Sequence, residues 1–147
     1  RPVILDDFGL DAGLRWLTER FSERTQIQAE YTSVCPRRLD DEQETHLFRI
    51  AQEALTNIAR HSGATTASMR LDVSGDRVLL RIEDNGRGMP AELQSRPSLG
   101  LVGMRARARR VGGVFTMKNR PGGGLCLQVE APARYASAVP ANDVAAD

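Results

Sequence analysis

Glu53, Asn57 and His61 recur every fourth residue in the stretch QEALTNIARHS. At 3.6 residues per turn, that spacing makes a line along one helix face. Asn57 is the informative member, because Asn competes for backbone hydrogen bonds and is a mediocre helix-interior residue. Its amide oxygen is a neutral hard ligand. Mg2+ takes octahedral oxygen ligands and is usually held by one or two protein groups together with phosphates and water, so Asn57 with Glu53 nearby suits it. A solvated helix face is the other reading of the same line. His61, beside Ser62-Gly63, is placed for the dipole at the helix C-terminus; His46 shows no role.

A second constellation is RIEDNGRGMP, residues 81–90. Asn-Gly after a hydrophobic run signals a hairpin turn, yet AELQSRPS follows, with Leu93 as its one large apolar residue and Pro97 unsuited to a strand. A chain that leaves the sheet here presents the Asp84 carboxylate, an all-acceptor group, at the sheet's end, and glycines let the backbone approach a bound group closely. An exocyclic amino donor such as adenine N6 satisfies that acid, whereas guanine offers a carbonyl at the same place. A third stretch, Gly100-Leu101-Val102-Gly103-Met104, leads into a helix whose free N–H groups form an anion site. Arg105 in the first turn can reach a phosphate. Absence of GxxxxGK[ST] excludes a P-loop enzyme.

The elements that must position these groups follow from periodicity. Leu10, Leu14, Leu17 and Phe21 predict an amphipathic helix over 10–24, and Ile27 to Val34 a strand ending before Pro36. Asp40-Asp41-Glu42 starts a long helix to about His61, with Leu47, Ile50, Ala51, Ala54 and Ile58 facing a sheet. Thr66–Val73 and Arg77–Glu83 read as strands around Ser74-Gly75-Asp76, and Leu101–Val111 as a helix stopped by Gly112-Gly113. Strands Val114–Lys118 and Leu125–Glu130 follow. Antiparallel strand pairs with helices grouped between them indicate an α+β domain, a mixed, mostly antiparallel sheet with helices on one face.

The 147 residues fit one domain. With 20 Lys and Arg against 19 Asp and Glu, the chain has no bulk charge for nucleic acid or membrane surfaces. The run MRARARRV lacks interleaved aromatics, which points away from a nucleic-acid groove. No apolar run is long enough to span a membrane and the start has no signal-peptide shape, so a cytoplasmic setting is expected. Cys35 and Cys126 read as free thiols. The segment from Ala133 is expected to be a flexible tail, 133–147, after a domain of residues 1–132.

The order QEALTNIARHS, DNGRGMP, GLVGMRARARRVGG, NRPGGGLCLQVEAP resembles the N box and glycine boxes of a GHKL-type ATPase. More closely, it is similar to the catalytic ATP-binding domain of sensor histidine kinases typified by nitrate and membrane-fluidity sensors. The resemblance covers about residues 1–132 and implies the Bergerat two-layer α/β sandwich. It implies ATP and Mg2+ as cofactors, with Asp84 contacting adenine, Asn57 holding the metal, and Glu53 ordering metal water or assisting phosphoryl transfer. Gly86 and Gly88 fall on the adenine-side turn; Gly100, Leu101, Gly103, Met104 and Arg105 on the phosphate-side box; Gly124 on the last box. Met89 to Ser98 corresponds to a short ATP lid. Leu125 departs from the pattern, because the family commonly has Thr there to bridge a water to adenine.

As implied partners, the resemblance supplies a histidine-bearing dimerisation domain and, indirectly, a response regulator. Neither His46 nor His61 lies in a dimerisation motif, so the acceptor is expected elsewhere and self-phosphorylation is not expected. An anti-sigma-factor serine kinase and a nucleotide-binding module without catalysis are the alternatives within this fold.

Overall fold

The computed structural model describes residues 1–89 and 98–137. The sheet is built from β1 (Gln28–Val34), β2 (Thr66–Ser74), β3 (Arg77–Asp84), β4 (Val114–Asn119) and β5 (Leu125–Pro132), in the order β1-β2-β3-β5-β4. Only β1 and β2 are parallel. Their connection is long enough to need a crossover helix, supplied by α2 (Asp41–Asn57). Register follows the alternation of side chains. Leu80 sits opposite Leu71 on one side and Val129 on the other, and Ile82 opposite Met69 and Leu127. All of these are buried on the helix side, where each full burial of a large apolar side chain stabilises by about 1.5–3 kcal/mol. The opposite face carries Arg70, Asp72, Arg81 and Gln128 at the alternating positions.

Local signals fix the helix starts. Asp40 caps α2 by accepting the Gln43 N–H at 2.8 Å, and acids fill the first turn. Ser98 caps α3 (Leu99–Arg110) by accepting the Leu101 N–H at 3.2 Å, two residues earlier than the expected start at Leu101. Helix α1 also begins earlier than expected, at Val3, because it is two helical pieces joined across Gly9 at φ 82°. That positive φ breaks the periodicity, so Leu5 is buried outside the stripe visible from Leu10 onward. Arg38 fills the break: its guanidinium donates to Leu5 O at 2.9 Å and makes two bonds to the buried Glu44 carboxylate.

Two further expectations need correction. The α-helix does not continue to His61; it stops at Asn57 and passes into a single π turn, Ile58–Ser62. Nor does flexibility begin at Ala133. Gln43, buried in α2, donates to Pro132 O at 2.8 Å and accepts the Arg134 N–H at 2.7 Å, while Ala136 N–H reaches Arg38 O at 3.0 Å. Residues 133–136 are thus tied to the domain, and the remaining expected tail beyond Ser137 lies outside the described residues, as do residues 90–97 of the expected lid.

Both cysteines are free. Burial, with Asp11 and Glu44 adding to it, pushes the Cys35 thiol up to about 11. At pH 8 the thiolate fraction is then about a hundredfold below that of an ordinary thiol. Iodoacetamide pulses read by mass spectrometry should find Cys35 labelled far more slowly than a free cysteine peptide; equal rates would contradict the buried setting.

Candidate functional site

The turn after β3 is not a hairpin. Asn85 Oδ1 accepts the N–H groups of Thr65 and Thr66 at 2.9 and 3.0 Å, its Nδ2 donates to Thr65 Oγ1 at 2.9 Å, and no non-glycine residue has positive φ among the described residues. Asn85 therefore stitches the loop to the start of β2. Arg87 N–H donates to Ser62 O at 2.9 Å, joining the loop to the π turn. Glycine is required between them, since a Cβ on Gly86 would stand 2.2 Å from that same Ser62 carbonyl. Gly88, at φ 77°, allows Met89 N–H to reach Asn119 Oδ1 at 2.8 Å.

Asp84 is held at the end of β3, 3% exposed. Its Oδ1 accepts the Gly86 N–H at 2.7 Å, and its own carbonyl accepts from Arg120 Nη1 at 2.7 Å. The other carboxylate oxygen has no donor among the described residues. Gly124, at φ 101°, is pressed against this strand end: a Cβ there would lie 1.9 Å from Asp84 O.

Asp84 lines a cavity of about 410 Å3, within the size range of small-ligand sites. The sheet contributes Ile82, Met117, Leu125 and Leu127; α3 contributes Leu101 and Met104; α2 contributes Ala54 and Asn57. Leu125 makes its share of the wall apolar, where a hydroxyl could have bridged a water. The Asn57 side chain has no hydrogen-bond partner among the described residues, and the residue opens the π turn.

An adjoining hollow of about 440 Å3 lies between α2 and α3 and shares Met104 with the cavity. Glu53, Gly100 and Gly103 line it. A Cβ on Gly100 would sit 2.0 Å from Glu53 Oε1, so the first turn of α3 rests directly on that carboxylate.

The expected residues thus divide by place. Asp84, Asn57, Gly88, Leu101 and Met104 surround one cavity; Glu53, Gly100 and Gly103, with Met104 again, surround the next. Gly86 and Gly124 stand behind Asp84 as close-packing positions. Arg105 is apart from them, its guanidinium 5.0 Å from the centre of the Phe115 ring. Sequence reading missed Arg87, Ser62 and Met117, which line the cavity together with His61 of the expected polar line and Met89 of the expected lid. Arg87 could have been found, because it lies inside the glycine turn. The others arrive through the π turn and the β4 register, which leave no local mark. Among the described residues no three His, Cys, Asp or Glu side chains converge on a metal position. A cation here would depend on ligands such as the Asn57 amide oxygen and on groups brought by a phosphate.

No helix among the described residues is long and apolar enough to cross a membrane. Residues 42–135 match the family of Histidine kinase-, DNA gyrase B-, and HSP90-like ATPases. The chain is 35% identical over 132 residues to the sensor histidine kinase LiaS of Bacillus subtilis, covering 90% of this chain and 36% of that protein. It is 34% identical over 135 residues to the sensor protein VraS of Staphylococcus aureus, covering 90% and 38%. The chain spans little more than a third of these curated relatives. Its fold resembles the ATP binding domain of PrrB from Mycobacterium tuberculosis, with TM-score 0.69 and 23% identity over 84% of this chain and 93% of that one. It also resembles the histidine kinase domain of a blue-light activated kinase from Erythrobacter litoralis, with TM-score 0.70 and 21% identity over 84% and 60%. A buried acid at a strand end, glycines packed around it, and a family match that spans both place the chain in the histidine kinase-, gyrase B- and HSP90-like ATPase family.

Proposed function

We propose that this domain binds ATP with Mg2+ and transfers the γ-phosphate to a histidine on a dimerisation domain of the same full-length kinase, which passes it to a response regulator. The observation that carries the reading is Asp84: a buried carboxylate with one oxygen on a backbone N–H, lining a cavity whose other walls are mostly apolar. Adenine fits such a place by its flat apolar body and its N6 donor. Asn57, without a competing hydrogen bond, presents its amide oxygen as the protein ligand for Mg2+. When bound, the ion supplies charge neutralisation at the phosphates.

Glu53, one turn before Asn57, orders a metal water or assists the transfer from the adjoining hollow. Gly100, Leu101, Gly103 and Met104 offer backbone close to the phosphate end, and Ser98 closes that helix start. Arg105 would have to leave Phe115 to join them.

Neither histidine is a suitable acceptor. His46 faces Arg107, with Nδ1 3.1 Å from its guanidinium, and His61 belongs to the π turn that follows the proposed metal ligand. Phosphoryl transfer rests on positioning and charge stabilisation, so a group fixed beside the metal ligand is poorly placed for in-line attack. Incubated with γ-labelled ATP and Mg2+, this chain should stay unlabelled while a separately supplied dimerisation domain gains acid-labile, base-stable label. Asn57→Ala should abolish most of that transfer and most of the Mg2+ dependence of ATP affinity. Label on this chain alone would refute the reading, and label on neither protein would favour a module that binds without catalysis.

A further inference from the structure

The turn from β4 to β5 closes on itself. Arg120 N–H donates to Gly124 O at 2.8 Å and Gly123 N–H to Arg120 O at 3.1 Å, while Gly122, Gly123 and Gly124 all hold positive φ. Asn119 and Arg120 reach from this turn to the two ends of the glycine loop. Asn119 Oδ1 accepts the Met89 N–H at 2.8 Å, and Arg120 Nη1 donates to Asp84 O at 2.7 Å. The β3–β5 ladder ends at Glu83 opposite Cys126, so Asp84 stands one residue beyond it, and its carbonyl takes this guanidinium in place of a strand partner. A charged donor makes the stronger kind of hydrogen bond. Arg120 Nε also lies 3.7 Å from Glu83 Oε2. Adjacent strand residues send their side chains to opposite faces. Arg120 accordingly sits with Glu30 and Glu83 in a hollow on the open face of the sheet, away from the cavity that Asp84 lines. The arginine grips the Asp84 backbone from behind and leaves the carboxylate to the cavity.

We infer that Arg120 is the positioning residue for Asp84: it fixes where the carboxylate meets the exocyclic amino group of a base, and so sets the preference for adenine over guanine nucleotides. The inference rests on the proposed adenine contact. Ala67 of β2 holds one edge of Asp84, and on the β5 side the hold is the Arg120 guanidinium. Hydrogen bonds weaken steeply once donor and acceptor leave alignment. A strand end free to shift therefore loses selectivity before it loses its fold. Glu83 is the lesser partner of Arg120, because a partly exposed pair at 3.7 Å is screened by solvent.

Calorimetry with ATP and GTP, at a temperature where circular dichroism finds each variant folded, is the test. Arg120→Ala should weaken ATP binding about fivefold and leave GTP within about twofold of the parent, so the preference for ATP falls. Placed on Asp84→Asn, the same substitution should cost less than about twofold further, because the contact it positions is already gone. Arg120→Lys keeps a charged donor and should stay within about twofold of the parent, as should Glu83→Gln. In the ligand-free protein, hydrogen exchange at the Gly86 N–H, held by Asp84 Oδ1, should quicken about tenfold in Arg120→Ala while Leu80 within β3 keeps its parental rate. Should Arg120→Ala fail to fold, Arg120→Gln replaces it in every comparison. A lowered Tm with a parental ATP-to-GTP ratio, parental exchange at Gly86, or an undiminished loss on Asp84→Asn overturns the inference and leaves the kinase reading standing. A parent that binds no ATP, or binds both nucleotides equally, takes the adenine contact down together with it.

Discussion

Asp84→Asn should weaken ATP binding about tenfold or more, the equivalent of roughly 1.5–3 kcal/mol for a lost hydrogen bond to a charged group. The geometry makes the loss specific. One carboxylate oxygen is already occupied by the Gly86 N–H at 2.7 Å. An Asn side chain keeps its single oxygen on that N–H, so the loop stays in place, and turns its amino group toward the cavity. A donor then faces the adenine N6 donor. Guanine, with a carbonyl at the equivalent position, suffers less or gains. Calorimetry with ATP and GTP on parent and variant checks both halves. A parent that binds the two nucleotides equally, or a variant that retains ATP affinity, would end the adenine assignment.

The second large effect is expected from Gly124→Ala, which should lower stability by about 3 kcal/mol, on the order of 10 °C in Tm. Two terms add. A residue with Cβ at φ 101° is strained by about 1–3 kcal/mol, and the new carbon would lie 1.9 Å from Asp84 O, a backbone atom between two paired strands that cannot swing aside. The displaced carbonyl is the backbone of Asp84, whose carboxylate is the proposed adenine contact, so ATP affinity should fall with stability. Gly103→Ala is the control: its Cβ enters open space within a helix and should stabilise by about 0.5–1 kcal/mol. Thermal melts of the two variants give the comparison, and a parental Tm for Gly124→Ala would show that the close contact is not real.

Much of the fold and part of the candidate site were legible in the sequence because they depend on local physics. Alternating apolar residues in β2, β3 and β5 determine which sheet face is buried, and the α2 stripe from Leu47 to Ile58 determines what covers it. The Asp40 cap marks a helix start before any tertiary contact exists. The acid of DNGRG after a strand with no partner strand following, and the Asn in a helix interior, are anomalies in their own neighbourhoods, so Asp84 and Asn57 stand out without coordinates.

What only the tertiary structure decided depends on groups distant in the chain. Asn85 is free of a hairpin because Thr65 and Thr66 offer it N–H donors from the start of β2. The π turn after Asn57 links to the glycine loop through Ser62 O, and His61 borders the cavity as part of that turn. Arg105, an apparent phosphate ligand by its place in the first helical turn, lies over Phe115 because β4 passes beneath it. Ala133 to Ala136 look like tail by composition, yet Gln43 and Arg38, some ninety residues earlier, supply their hydrogen bonds. Periodicity and capping record only what a residue does with neighbours three or four positions away. Partners brought close by the closing of the sheet leave no such record, so the shape of the cavity became known only with the fold.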